Sequence, residues 1–91
     1  MPYIKQARRR TIDPFLEPLL KSIDDPATIT VEGDLNYMIT RILHSHLAKV
    51  GPNYQNLNAA IGVLECAKLE LYRRVAAPYE DEKASENGDV M

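Results

Sequence analysis

The sequence lacks several features that would identify its class at once. It has one cysteine, Cys66, so no disulfide can form within the chain. A lone thiol without a recognisable signal peptide is typical of a reducing cytoplasm. The longest apolar runs fall well short of the roughly 18 residues that a membrane span needs. We therefore expect a cytoplasmic protein that does not enter the membrane.

The chain also lacks an excess of positive charge and a complete catalytic set. Its formal net charge is −2 over 91 residues, which argues against general binding to nucleic acid. Charge is nevertheless unevenly distributed. Residues 1–12 contain four basic residues and no acidic residue. Residues 79–91 contain five acidic residues and one lysine. The sequence thus predicts a basic arm (1–12) and an acidic tail (79–91), either paired with each other or, for the arm, binding an anion.

The apolar spacing predicts an all-α fold, a compact bundle of three main helices with a short acidic C-terminal helix. Asp13-Pro14 is a good helix start, and Asp24-Asp25-Pro26 a good stop. The other expected helix boundaries are Gly33-Asp34, with Asp34 as the N-cap, Gly51-Pro52, and the residue before Pro78. Gly88 is expected to end the short acidic helix. The predicted helices are 13–23, 34–50 and 54–77. The β-branched piece Thr28–Val31 could be a strand only if another segment pairs with it.

The third predicted helix has apolar residues on more than one face, so it needs more than one neighbour. One set repeats in steps of three and four, as in a coiled coil, with Lys68 in the same seam. This pattern predicts a homo-oligomer with an interface formed by Leu57, Ile61, Leu64, Leu71 and Val75.

Several segments resemble a known family over nearly the whole chain. They are the opening MPYIKQ followed by arginines, GDLNYMITR at 33–41, IGVLECAKLELYRRVAAPYEDEK at 61–83, and the closing ENGDV. The family consists of small proteins carried by bacteriophages, prophages and bacteria. The resemblance implies a phage or prophage origin, and it does not supply a mechanism.

Arginine, lysine, tyrosine and asparagine supply the groups that a nucleotide site needs. Guanidinium groups bind phosphate, tyrosine rings stack on bases, and amides read base or ribose edges. Asn36, Thr40 and His44 also form a polar line on the second helix. The candidate ligand-binding residues are Arg8, Arg9, Asn36, Tyr37, Arg41, Lys68, Tyr72, Arg73 and Arg74. The alternative for each residue is ordinary surface packing or a helical ion pair, such as Glu70 with Arg74.

We do not expect a metal or another cofactor. His44 and His46 point about 200° apart on a helix and cannot share an ion. Glu86 and Asp89 have the E-x-x-D spacing of all-α nucleotide pyrophosphohydrolases, but Lys68 stands where the partner of Glu65 would be.

Three functions follow from these observations. The first is a non-enzymatic protein that captures a nucleotide-type ligand, for example to sequester a host defence signal. The second is a protein-interaction module that inhibits or adapts a host or phage protein. The third is a Mg²⁺-dependent nucleotide pyrophosphohydrolase.

Overall fold

A computed structural model describes residues 2–91, and its regular structure is entirely helical. Helix α1 is Gln6–Ile23, α2 is Glu32–Val50, α3 is Tyr54–Leu71 and α4 is Ala77–Asn87. A π-helical segment, Tyr72–Ala76, joins α3 to α4. The all-α prediction is confirmed, and no strand occurs within residues 2–91. Thr28–Val31 is an irregular connection between α1 and α2. In the same range no helix is long and apolar enough to cross a bilayer.

Helix α1 begins earlier than the sequence predicted. Its start is Gln6 rather than Asp13, and the carbonyl of Lys5 accepts the first hydrogen bonds, from the N–H groups of Arg8 and Arg9. The segment QARRR consists of good helix formers, which extend the helix through the predicted arm. Pro14 and Pro18 therefore lie inside α1, and the carbonyls four residues before them lose their usual N–H donor.

Helix α2 begins at Glu32, two residues before the predicted start. Val31, and not Asp34, is the N-cap. The Asp34 carboxylate instead reaches back from the third helical position. It accepts hydrogen bonds from the Thr30 N–H at 2.9 Å, the Thr30 hydroxyl at 3.0 Å and the Val31 N–H at 3.4 Å. This is the reciprocal half of a capping box, and it fixes the chain entering α2.

The turn between α2 and α3 agrees with the prediction. Gly51 has a φ of 98°, and its N–H binds the carbonyl of Leu47. The side chain of Asn53 accepts a hydrogen bond from the Asn56 N–H at 2.8 Å and so caps α3. The Asn56 amide donates to the carbonyls of Val50 and Gly51, at 3.1 and 2.9 Å. Free carbonyls at the end of α2 are thus bound by the start of α3.

The prediction that the third helix ends before Pro78 is wrong, because the helical chain runs on to Asn87. A proline inside an α-helix has no N–H and clashes with the carbonyl four residues earlier, here that of Arg74. In the π-helical segment the Ala77 N–H instead binds the Tyr72 carbonyl, five residues back. The wider turn accommodates Pro78, which lies in the first turn of α4. Gly88, with a φ of 91°, ends α4 as predicted.

The described residues form two structural units and bury few side chains. Tyr3–Leu57 forms one structural unit, and Asn58–Met91 with Pro2 forms the other. Only Ala60 is buried within residues 2–91, at 8% exposure. Large apolar side chains on every helix remain exposed, including Phe15, Ile42 and Ile61. The burial of apolar side chains within the described residues is therefore slight.

The Asp34 cap predicts a pH-dependent stability. Hydrogen bonds from Thr30 and Val31 lower the pKa of Asp34, so the ionised form stabilises the folded state. The stabilisation is present at neutral pH and is lost as the pH falls below the ordinary aspartate value of about 3.9 and through the lowered one. We expect Asp34→Asn to lower the thermal midpoint at pH 7, measured by circular dichroism. The difference should shrink as the pH falls below about 3.9 and Asp34 becomes protonated. Glu32→Gln in the same helical turn should change little. Equal midpoints for Asp34→Asn and the parent at pH 7 would contradict this role.

Pro78 predicts a second effect on stability. Pro78→Ala restores an N–H and removes the clash, so the π-helical segment should relax to α-helix. We expect stabilisation by up to about 3 kcal/mol, the penalty of a proline in a helix interior, measured by urea unfolding. Pro52→Ala, in the turn before α3, is the matched control and should give no gain. Unchanged stability of Pro78→Ala would show that Pro78 does not cause the π turn.

Candidate functional site

The middle of α2 presents an aromatic ring beside a guanidinium group. Arg41 donates a hydrogen bond from Nη1 to the Tyr37 hydroxyl at 2.8 Å, and its Cζ lies 5.7 Å from the centre of the Tyr37 ring. The two residues are one helical turn apart, which brings them together on one face. Tyr37 is 61% exposed, so one side of the ring remains available. The remaining N–H groups of Arg41 can bind an anion.

A shallow depression lies next to this pair, with a volume of about 480 Å³. It is open on most sides and is lined by Glu32, Gly33, Asn36, Tyr37 and Thr40. The Thr40 hydroxyl donates to Oδ1 of Asn36 at 3.0 Å, and the Asn36 amide nitrogen keeps its two N–H donors. Among residues 2–91 no group accepts from that nitrogen. The depression therefore combines an aromatic face, amide donors and one carboxylate.

Two candidate residues from the predicted basic arm lie in the first turns of α1. Arg9 donates from Nε to the Ile4 carbonyl at 2.9 Å, so part of its guanidinium group holds the chain before the helix. Arg8 is exposed. Both arginines therefore belong to the regular helix α1, whose first turn contains no acidic residue.

The candidate residues of the second unit, the one that contains Asn58–Met91, are engaged in ion pairs or hydrogen bonds. Lys68 Nζ lies 3.0 Å from a Glu65 carboxylate oxygen. Arg73 and Arg74 both approach Glu70, at 3.2 and 3.9 Å. These are helical pairs of the kind that the sequence offered as the alternative to a site.

Tyr72 is held at the π-helical segment by α4. Its hydroxyl donates to Oε2 of Glu80 at 3.2 Å. The negative charge of Glu80, together with this hydrogen bond, raises the pKa of Tyr72, and Asp81 adds to the effect. The bond ties the last turn before Pro78 to the first turns after it.

The predicted ligand set is thus divided between the two structural units. The structure brings Asn36, Tyr37 and Arg41 together on α2, and Arg73 with Arg74 around Glu70. Glu32, Gly33 and Thr40 complete the lining of the depression, and the sequence did not single them out as ligand-binding residues. The spacing of Asn36 and Thr40 on a polar line was the available signal for Thr40.

The acidic residues considered for metal binding have local partners. Glu86 accepts a hydrogen bond from Lys83 at 3.2 Å, and the Asp89 carboxylate accepts one from the Met91 N–H at 3.1 Å. No group of three or more histidine, cysteine, aspartate or glutamate residues within residues 2–91 is arranged to hold a metal ion. Cys66 is half-buried beside Pro2, Val63 and Ala67.

The predicted interface residues are all exposed in the single chain. The exposed fractions are 40% for Leu57, 65% for Ile61, 41% for Leu64, 62% for Leu71 and 59% for Val75. Val75 lies within the π-helical segment. Because each π turn contains an extra residue, the position one turn after Leu71 moves from Val75 towards Ala76. The regular stripe of α3 therefore consists of Leu57, Ile61, Leu64, Lys68 and Leu71.

The contact between Tyr72 and Glu80 predicts a distinct tyrosine titration. The chain has five tyrosines. Tyr72 should ionise at a higher pH than an ordinary tyrosine, because its hydroxyl donates to the Glu80 carboxylate. Its hydrogen bond is retained at neutral pH and is lost as the pH rises above about 10 and through the raised pKa. Ultraviolet titration of tyrosinate should show a late component that disappears in Tyr72→Phe and shifts to lower pH in Glu80→Gln. A parent curve identical to that of Glu80→Gln would rule out the contact.

Comparison with known proteins gives one match. No curated protein and no solved structure matches the chain. One family model matches residues 1–90, and its description is a domain of unknown function, DUF6899. This match covers nearly all of the 91 residues. The chain therefore belongs to the DUF6899 family.

Proposed function

We propose that this protein is a non-enzymatic binding protein that captures a nucleotide-type ligand and acts as a homo-oligomeric helical bundle in the cytoplasm. In a phage setting, which the sequence resemblance implies, the captured molecule would be a nucleotide-derived defence signal of the host. Binding would lower its free concentration without any chemical step. The observation that carries the proposal is the exposed Tyr37–Arg41 pair beside the Asn36–Thr40 pair on α2.

The chemistry of this face fits the two ends of a nucleotide. A base can stack on the exposed ring of Tyr37, since stacking requires only a free aromatic face. Arg41 keeps guanidinium N–H groups for a phosphate oxygen, and such charge-assisted hydrogen bonds are among the strong ones. The amide nitrogen of Asn36 can donate to a carbonyl or ring nitrogen of the base.

The charges along α2 also set a direction for the ligand. Glu32 lies at one end of the depression, and Arg41 lies more than two helical turns further along the same helix. A carboxylate repels phosphate and accepts hydrogen bonds from base N–H groups. We therefore place the base towards Glu32 and the phosphate towards Arg41.

The openness of the depression supports an oligomeric binding site. Small-molecule pockets bury most of the ligand surface, whereas this depression is formed by residues of one helix and is open on most sides. A ligand held there needs a second surface to exclude water. Another chain of the oligomer can supply that surface, and assembly would also cover the apolar residues that a compact bundle should bury.

Exposed apolar surface favours a second candidate function, a protein-interaction module that binds a host or phage protein. Leu35, Ile39 and Ile42 form an exposed stripe on α2, with the i, i+4, i+7 spacing of helices that dock into grooves. In this alternative the apolar stripe contacts a foreign protein, and Tyr37 with Arg41 supplies the polar edge of the contact.

The first test asks whether the purified protein retains a ligand and whether mutation of the α2 face weakens its binding. Native mass spectrometry of freshly purified protein identifies a bound nucleotide and the number of chains. Calorimetry with that compound, or with a panel of linear and cyclic mono- and dinucleotides, then gives its affinity. We expect Arg41→Ala to weaken binding by about 1.5–3 kcal/mol, the range for hydrogen bonds to charged groups, or about 10- to 150-fold.

Matched variants make the result specific. Lys49→Ala removes a cation from the last turn of α2, outside the depression, and should bind like the parent. Tyr37→Leu should weaken binding by loss of stacking. Arg73→Ala and Arg74→Ala test whether the second unit contributes phosphate contacts. Binding unaffected by Arg41→Ala and Tyr37→Leu would exclude the α2 face. Absence of any nucleotide, with a host protein bound through Ile39, would favour the second candidate.

A further inference from the structure

The isolated chain does not bury enough apolar surface to explain its ordered helices. Fixing the backbone costs roughly 1–2 kcal/mol for each residue, and burial of apolar side chains is the main term that offsets it. Here Ala60 is the one buried apolar residue among those described, and 24 large apolar residues remain exposed. In proteins most helical stability comes from packing of an apolar face rather than from intrinsic propensity. The exposed apolar faces of these helices are therefore the surfaces on which a partner would pack.

The stripe on α3 is the most regular of the exposed apolar surfaces. Within the second unit it consists of Ile61, Leu64, Lys68 and Leu71, in steps of three, four and three. Ile61 and Leu71 are each more than 60% exposed. Glu65 borders the stripe beside Leu64, and its carboxylate is 3.0 Å from Lys68. The stripe thus has an apolar residue at each end and one pair of opposite charges near its centre.

We infer that a second copy of this chain packs on this stripe with the two α3 helices antiparallel. A two-fold symmetric dimer is the commonest oligomer, and it places one patch against itself. In a parallel pair Lys68 would face Lys68 of the other copy, and like charges would meet in the seam. In an antiparallel pair Lys68 lies across from Leu64 and next to Glu65 of the other copy. Ile61 then lies across from Leu71. The antiparallel arrangement thus avoids the repulsion and places opposite charges together.

Charge at the helix ends favours a second copy of this chain as the partner. Arginines occupy the first turns of α1, the positive end of its dipole, with no acid in the first turn. Acidic residues line α4, whose last turn at the negative end contains no base. The basic start of α1 and the acidic end of α4 each place charge against a helix dipole end of the same sign. The positive charge of the first complements the negative charge of the second. Arg8, Arg10, Asp81 and Glu82 form no ion pair within residues 2–91. A second copy brings both charges, so one kind of chain satisfies both ends.

Mixing two charge variants tests the pairing without removing apolar surface. Lys68→Glu places two carboxylates at positions 65 and 68, and Glu65→Lys places two ammonium groups there. Neither chain can form its own Glu65–Lys68 pair, so any attraction between them arises between chains. We expect each full-length variant alone to dimerise more weakly than the parent. An equimolar mixture should give heterodimers in about fivefold or greater excess over random pairing, measured by native mass spectrometry.

Cross-linking tests the orientation. In a Cys66→Ser background, Ile61→Cys and Leu71→Cys chains should form a mixed disulfide on gentle oxidation, because the two positions lie across from each other. Leu64→Cys homodimers should cross-link poorly, whereas a parallel pair would favour them, since disulfides require Cα atoms within about 7 Å.

The outcomes separate the inference from the proposed ligand. A monomeric parent, random pairing of the charge variants, or dimerisation unaffected by both substitutions would overturn the α3 interface. Efficient Leu64→Cys cross-linking with no mixed disulfide would overturn the antiparallel arrangement. None of these measurements requires a nucleotide. The interface can therefore stand if the protein binds no nucleotide, and it can fail while nucleotide binding is observed.

Discussion

The constraint on which the rest of the structure depends is the lack of apolar burial within one chain. Hydrogen bonds within helices satisfy the backbone but contribute modestly to net stability. The large favourable contribution comes from removing apolar side chains from water, and here nearly all of them remain in contact with it. Most of the large apolar side chains of α3, which lie on several sides of the helix, are in contact with water. The ligand proposal and the dimer proposal both start from this observation.

The local sequence signals predicted the class of fold and several helix ends. Gly51 and Gly88 end helices as expected because glycine adopts positive φ without strain. The start of α3 near Asn53 was also predictable, since asparagine is a good cap. Apart from the start of α2, the errors occurred at prolines. Pro14 lies inside α1 and Pro78 inside a continuous helical stretch, because neighbouring residues with high helix propensity, or a π turn, compensate for the missing N–H.

The candidate site was predicted in part. Asn36, Tyr37 and Arg41 could be grouped from the sequence because residues one turn apart share a helical face. Glu32 was missed because the start of α2 was placed two residues too late, which left this residue outside the helix. Lys68, Arg73 and Arg74 were grouped with them by residue type alone. Residue type does not indicate which glutamate lies one turn away, and Glu65 and Glu70 engage these cations.

The π turn before Pro78 also sets the rotational position of the acidic residues of α4 around the helix axis. One extra residue in a turn changes the angular phase of everything that follows by about 100°. The hydrogen bond from Tyr72 to Glu80 spans this change of phase. A single proline therefore decides which direction the carboxylates of α4 face relative to the apolar stripe of α3. An insertion or deletion of one residue at this point would rotate the acidic surface while leaving both helices intact.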